Sequence, residues 1–196
     1  MKKVTILPIL IFSLLMSLPI CSTLLFIWEL RKIVHNIFLG DFILCLCSTL
    51  FFLAGVTSIY RFFLKKWPFS EGELPSDHPH ELRYLVYLIF WLLIFNPLLR
   101  ISIIPAPLSR LVLLALGSKV GKSSYSSGLV LDPHLVTIGH NTQLGLDCLI
   151  VPHNQTNDKL AHYPIKIGNN VTIGGRAVVM AGCTIDDGAV VGFCSF

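Results

Sequence analysis

Seven histidines stand at positions 35, 78, 80, 134, 140, 153 and 162, and these are the side chains best suited to move a proton at neutral pH. A neutral imidazole held beside a bound nucleophile works as a general base. The histidine spacing offers little to a metal, because the tightest pair, His78 and His80, lies outside the regular part of the sequence. Six cysteines, at 21, 45, 47, 148, 183 and 194, form no CxxC pair. Three lie in apolar sequence and three inside a repeat, so they read as reduced, buried thiols rather than a disulfide framework. His153 stands where that repeat is interrupted, His162 lies inside the interruption, and His140 occupies a repeat corner.

Of the 196 residues, 54 % are hydrophobic and 13 % charged, with a mean hydropathy of +0.73. Ordinary globular domains carry about 25 % charged residues, so this composition argues against disorder and against a conventional water-soluble enzyme, and for membrane embedding. The formal charge of +4 comes mostly from Lys and Arg beside apolar runs. No basic stripe marks a nucleic-acid surface.

Residues 4–28 contain no charge and are flanked by Lys2 and Lys3 on one side and Glu29, Arg31 and Lys32 on the other. A hydrocarbon core of about 30 Å needs roughly 20 helical residues, so this run spans, with Pro8 and Pro19 as kinks. It is too long for the apolar region of a signal peptide, and no small residue precedes Cys21 in the way that cleavage requires. Residues 42–60 form a second uncharged run, closed by Arg61, Lys65 and Lys66. A two-span hairpin over 1–67 places five basic residues on one side and Arg31 and Lys32 on the other, which puts both ends in the cytoplasm. An acidic linker over 71–81 follows. Residues 84–95 are apolar but reach Leu99 only through Pro97, so 84–104 reads as too short and broken to span. It is expected at the interface, as is 108–116, for which Gly117 is the expected C-cap.

From Val120 onward an aliphatic residue recurs every six positions: Ile138, Leu144 and Ile150, then Ile167, Ile173, Val179, Ile185 and Val191. Glycine follows at 139, 145, 168, 174 and 192, and small or β-branched residues stand four positions after each aliphatic. Counting backward in phase places Ser124, Val130 and Val136 at such positions, with the register unbroken from 120 to 155. A six-residue period fits three flat faces per turn of a parallel β-solenoid, with glycine at corners that a β-carbon forbids. Between Ile150 and Ile167 the spacing is 17 where six is expected, so 11 residues, about 156–166, are inserted.

This pattern is the hexapeptide repeat, and residues 120–196 resemble the left-handed β-helix acyltransferase superfamily. In O-acetyltransferases of this kind a loop leaves the helix just after a histidine. Here the chain reads Val151-Pro152-His153-Asn154-Gln155 before the insertion and Pro164-Ile165-Lys166-Ile167-Gly168-Asn169-Asn170-Val171 after it. The resemblance implies that His153 is the catalytic base for acyl transfer from acetyl-CoA to a hydroxyl or amine, with corner N–H groups stabilising the oxyanion. It places Asn154 and His162 near the acceptor. It assigns Gly174, Gly175, Arg176, Ala181 and Gly182 to the arm of the CoA co-substrate, in a groove between the subunits of a homotrimer.

Two features depart from that family. Thr172 stands where sugar acetyltransferases often carry tryptophan, and the repeat ends at Phe196 after 12 of the 18 residues of its last coil, which reads as truncated. The γ-class carbonic anhydrases share the repeat but hold zinc with three histidines, two of them five apart. No histidine pair here has that spacing, so no metal is expected. Glu71-Gly72-Glu73-Leu74-Pro75, Leu82-Arg83-Tyr84, Pro107-Leu108 and Leu116-Gly117-Ser118-Lys119-Val120-Gly121 resemble the membrane-attached C-terminal module of peptide-synthetase-like proteins. The expected organisation is therefore α+β: a membrane hairpin over 1–67, a linker with membrane-proximal helices over 68–117, and a β-helix over 118–196. The expected location is the inner membrane of a bacterium, with the β-helix facing the cytoplasm and membrane lipid and a small or lipid-linked acceptor as partners. The alternative is a non-catalytic trimerisation or docking module.

Overall fold

Leu, Ile and Phe dominate the N-terminal third, and there the chain is helical: α1 spans Leu7–Val34 and α2 Gly40–Lys66. The computed structural model describes residues 6–34, 38–69, 71–73, 78–100, 104–156 and 159–196. Lys2, Lys3, His35, Leu74, Pro75 and residues 157–158 of the insertion lie outside the described residues. The chain forms two units, Met1–Trp67 with Leu82–Phe90, and Pro68–Glu81 with Trp91–Phe196.

In the first unit α1 and α2 meet where Gly55 faces Pro19; a β-carbon at 55 would lie 3.2 Å from the proline ring, so a small residue permits the approach. Phe26 stacks on Phe51 at 4.4 Å, and Phe12 meets Phe90 edge to face at 4.9 Å. Leu14, Leu18, Leu25, Phe42 and Phe62 point outward. That is the reverse of a water-soluble helix pair. Thr49 and Ser58 donate to carbonyls of their own helix, so these hydroxyls need no water.

Among the described residues three helices are, by length and composition, long and apolar enough to cross a membrane: Leu7–Val34, Gly40–Lys66 and His80–Arg100. The third corrects the expectation of a short, broken segment over 84–104. Helix α3 (His78–Phe90) runs directly into a π-helical turn over Trp91–Phe95 and then into α4 (Asn96–Arg100). Pro97 lacks an N–H, and its ring would press on the carbonyl four residues back. The wider turn before it relieves that clash, and the helix continues.

Helix α5 (Ala106–Leu116) ends as expected at Gly117, whose φ of +112° favours a residue without a β-carbon. Ser118 N–H bonds to Leu113 O and Gly117 N–H to Leu114 O, which satisfies the last carbonyls. The helix covers the first coil of the solenoid. Leu113 enters the core, Arg110 Nε donates to Gly121 O at 2.7 Å, and Ser109 Oγ accepts from Ser126 N–H at 2.8 Å. The backbone of an edge coil is thereby partly capped.

The solenoid has three parallel sheets. One joins β2 (Lys119–Val120), β5 (Val136–Ile138), β10 (Ile165–Ile167) and β13 (Thr184–Ile185); the second joins β3 (Tyr125–Ser126), β6 (Gln143–Leu144), β11 (Thr172–Ile173) and β14 (Val190–Val191). The third joins β4 (Leu129–Val130), β7 (Leu149–Val151) and β12 (Val178–Met180). Ile138 pairs in register with Ile167, Leu144 with Ile173 and Ile150 with Val179, and all six are buried in one core. Cys148 lies in that core, and burial, reinforced by the charge of Asp147, pushes its thiol up to about 12. At the corners after the first sheet, Asn169 Oδ1 accepts from His140 N–H, and the Asp187 carboxylate accepts from both Asn169 N–H and Nδ2. Those bonds hold the Asp187 carboxyl below its usual range.

The backward count needs one correction. Val130 pairs with Ile150, so it fills the large aliphatic slot and not the small one. The corner between β3 and β4 is two residues short, and the next corner is two residues long, because it holds a 3₁₀ turn over Pro133–Leu135. The phase is recovered at Val136 and Ile138.

Candidate active site

Strand β7 ends at Val151, before Pro152, which has no N–H to continue the ladder, and the inserted residues leave the solenoid there. They fold as an antiparallel hairpin, β8 (His153–Thr156) and β9 (Lys159–His162), beginning at His153 rather than at 156. His153 stands opposite His162 in register, and Tyr163 N–H bonds to Pro152 O at 2.8 Å to close the root. A third strand, β1 (Gly72–Glu73), pairs with β9 on its other edge.

The long corner of the preceding coil brings Asp132 to this hairpin. Asp132 sits in the left-handed region at φ +42° and its carbonyl accepts from Leu135 N–H, which fixes the 3₁₀ turn. It is 4 % exposed, and a buried carboxylate requires a partner. That partner is His153, whose Nδ1 lies 2.5 Å from Asp132 Oδ2. With Nδ1–H donated to the carboxylate, Nε2 carries the lone pair and is the basic nitrogen. The hydrogen bond to Asp132 raises the His153 pKa above 6.5, against burial and with the help of the Asp132 charge. His162 is fully buried and moves the other way. Burial lowers it, the Asp132 charge opposes, and His153 adds to the lowering. Two neighbouring titratable groups driven apart in this way are characteristic of proton-transfer sites.

Asn154 lies exposed on β8, next to His153. Ala181 and Gly182 form the turn after β12 and stack on the hairpin root: Gly182 N–H bonds to Tyr163 O at 3.1 Å. Gly174, Gly175 and Arg176 occupy a different corner, after β11, where Arg176 is exposed and its Nε lies 4.0 Å from Asp147. The residues assigned by resemblance to the CoA arm thus fall on two edges of the solenoid, and one of these edges carries His153. His140 belongs to the corner ladder, with Nδ1 accepting from Lys122 N–H. Among the described residues no group of three His, Cys, Asp or Glu side chains is placed to hold a metal ion.

Sequence reasoning missed Asp132, Phe69 and Glu73. For Asp132 a signal existed. In the backward count it falls in the slot that calls for a large aliphatic residue, and an acid there marks a coil that departs from the beat. Phe69 and β1 had no comparable signal, because their pairing with the hairpin is long-range.

Taken together, three parallel sheets in six-residue register define a β-helix of the hexapeptide-repeat type. Residues 164–196 match the family model described as bacterial transferase hexapeptide (six repeats). Over 82 residues the chain is 33 % identical to galactoside O-acetyltransferase of Escherichia coli (strain K12), a match covering 37 % of this chain and 40 % of that protein. The chain therefore spans less than half the length of this curated relative. Among solved structures it is similar to a hexapeptide-repeat acetyltransferase from Vibrio cholerae O1 biovar eltor complexed with acetyl coenzyme A (22 % identity, 39 % of this chain and 52 % of that chain, TM-score 0.24). It is also similar to serine acetyltransferase isoform 3 from Entamoeba histolytica complexed with cysteine (12 % identity, 100 % and 84 %, TM-score 0.22). The homologues are acetyltransferases of the hexapeptide kind.

Proposed function

We propose that the chain is a membrane-anchored acyltransferase that moves an acetyl or other acyl group from CoA to a hydroxyl or amine. The observation that carries this reading is the Asp132–His153 pair, which joins a corner of a hexapeptide β-helix to the hairpin that leaves it. His153 Nε2 takes the acceptor proton as the acceptor oxygen or nitrogen attacks the thioester carbon. The carbon–sulfur bond then breaks, and the proton passes from the imidazolium to the departing thiolate. His162, cross-strand from His153 and buried, backs the base on its own face of the hairpin, and the exposed Asn154 next to His153 is the residue offered to the acceptor. Ala181 and Gly182, with Gly174–Arg176 of a neighbouring subunit in a homotrimer, border the CoA arm, which accounts for their placement on two edges. Calorimetric titration of acetyl-CoA into the full chain in detergent, with ATP as control, is expected to show saturable binding for acetyl-CoA alone. Heat indistinguishable from the ATP control would leave only a docking module.

The apolar helices anchor the chain in the inner membrane, with the site on the cytoplasmic side, where acyl-CoA is made and from which so charged a molecule does not cross a bilayer. An acceptor on a lipid or envelope sugar is within reach of such an enzyme. With Lys2 and Lys3 in the cytoplasm, this placement requires that His80–Arg100 lie at the interface. A reporter fused after Phe196 is expected to be active only as a cytoplasmic marker, and periplasmic activity would reverse the topology.

A further inference from the structure

We propose that Phe69 is a positioning residue for the acyl-transfer site, clamping together the two segments that carry Asp132 and His153. Its catalytic consequence rests on the acyl-transfer reading above; its placement rests on geometry alone.

Asp132 and His153 are 21 residues apart, and each stands on a segment outside the regular solenoid. Asp132 opens the 3₁₀ corner, and His153 opens an inserted two-stranded hairpin. An isolated hairpin is marginal in water, so a third strand or an apolar contact must hold it. Strand β1 supplies the third strand, with Gly72 opposite His162 and Glu73 opposite Ala161. The Glu73–Lys159 ion pair at 3.0 Å adds little, since both side chains are more than half exposed.

Phe69, half-buried just before β1, does more. Its ring lies 5.6 Å from that of His134 and 5.2 Å from that of His162. His134 is two residues beyond Asp132 on the corner. His162 is the cross-strand partner of His153, and directly opposed residues of an antiparallel pair share a face. The His153 and His162 rings meet edge to face at 6.4 Å. One aromatic ring therefore touches a near neighbour of the acid and a near neighbour of the base. The Asp132–His153 hydrogen bond forms only while the two segments are held in one relation, and Phe69 spans the join.

Diethyl pyrocarbonate acylates neutral imidazole, so its rate at His153, followed by peptide mass spectrometry from about pH 5 to 8, reports the titration of that residue without an acceptor. Asp132 and burial set this titration; the other titratable groups on the packed segments are His162 and His134, with Glu73 and Lys159 farther along the hairpin. In the unmodified chain the midpoint is expected above 6.5. Phe69→Ala is expected to move it down towards 6.5, to make His162 reactive, and to lower acyl transfer about tenfold or more through loss of orientation, with acetyl-CoA affinity kept. Phe69→Tyr, which retains the ring, is expected to restore all three. Should Phe69→Ala lose its fold, revealed by alkylation of the buried Cys148, Phe69→Leu replaces it, and a lowered His153 midpoint is again expected. An unchanged His153 midpoint in a folded variant lacking the ring overturns the proposal. A wild-type chain with the raised midpoint but no acyl transfer counts against the acyl-transfer reading and leaves the clamp standing.

Discussion

If the proposed acyl transfer holds, Asp132→Asn is expected to lower it by up to about 10⁴-fold, the order known for a base left in the wrong tautomer, and His153→Ala by about 10²–10⁴-fold. Acetyl-CoA affinity stays nearly unchanged in both. The two losses have different causes, and pH separates them. As the proposed base, His153 works only when neutral, and its hydrogen bond with Asp132 raises its pKa above 6.5. In the wild type kcat/KM therefore rises with pH through a limb that lies above 6.5. An asparagine keeps the shape but loses the charge, and its amide N–H₂ can donate to Nδ1, which moves the imidazole proton to Nε2 and blocks the basic nitrogen. Burial then acts without opposition, and the limb moves to lower pH while the plateau falls. For His153→Ala no such limb remains. A kcat/KM profile for Asp132→Asn whose limb coincides with that of the wild type would show that the pair seen at 2.5 Å does not govern the reaction.

The parts of the molecule that follow local rules were readable from the chain. Ile138, Leu144, Ile150, Ile167 and Ile173 keep a six-residue beat because strand and corner are each short and each coil repeats them. All five face the core. Gly117 announced the end of α5 for an equally local reason. The site was half readable: His153 stood out because an insertion follows it, whereas Asp132 was hidden by a compensated slip. A corner two residues short followed by one two residues long leaves the overall count intact, so a count cannot detect it. Phe69 and β1 were hidden by distance, since Gly72 pairs with His162 across some 90 residues of chain. The helix through Pro97 was misjudged because counting apolar residues cannot foresee that a π-turn will accommodate the ring.

The second large effect is on stability. Gly139→Ala is expected to cost at least about 3 kcal/mol, the upper part of the range for overpacking, because nothing near the new methyl group can yield. A β-carbon at 139 would lie 2.5 Å from the carbonyl carbon and oxygen of Gly168 and 2.7 Å from Asn169 N, all backbone atoms of the next coil. Moving that coil away would break Gly139 N–H to Ile167 O and His140 N–H to Asn169 Oδ1, both at 2.8 Å. On the other face Gly121 packs against Gly139 just as closely, so the strain cannot be relieved by shifting residue 139 instead. Gly188→Ala is the contrasting case. No atom lies within 4 Å of its added carbon, and only the φ of +74° opposes the change, at about 1–2 kcal/mol. The buried Cys148 thiol reports the difference, since it reacts only when the solenoid opens. Heated in detergent with an alkylating reagent, Gly139→Ala is expected to expose Cys148 at a temperature lower than wild type by roughly 12 °C or more, and Gly188→Ala by roughly 4–8 °C for each kcal/mol it costs. Equal shifts for the two variants would mean that backbone angle, and not the close stacking of coils, is what the corner glycines serve.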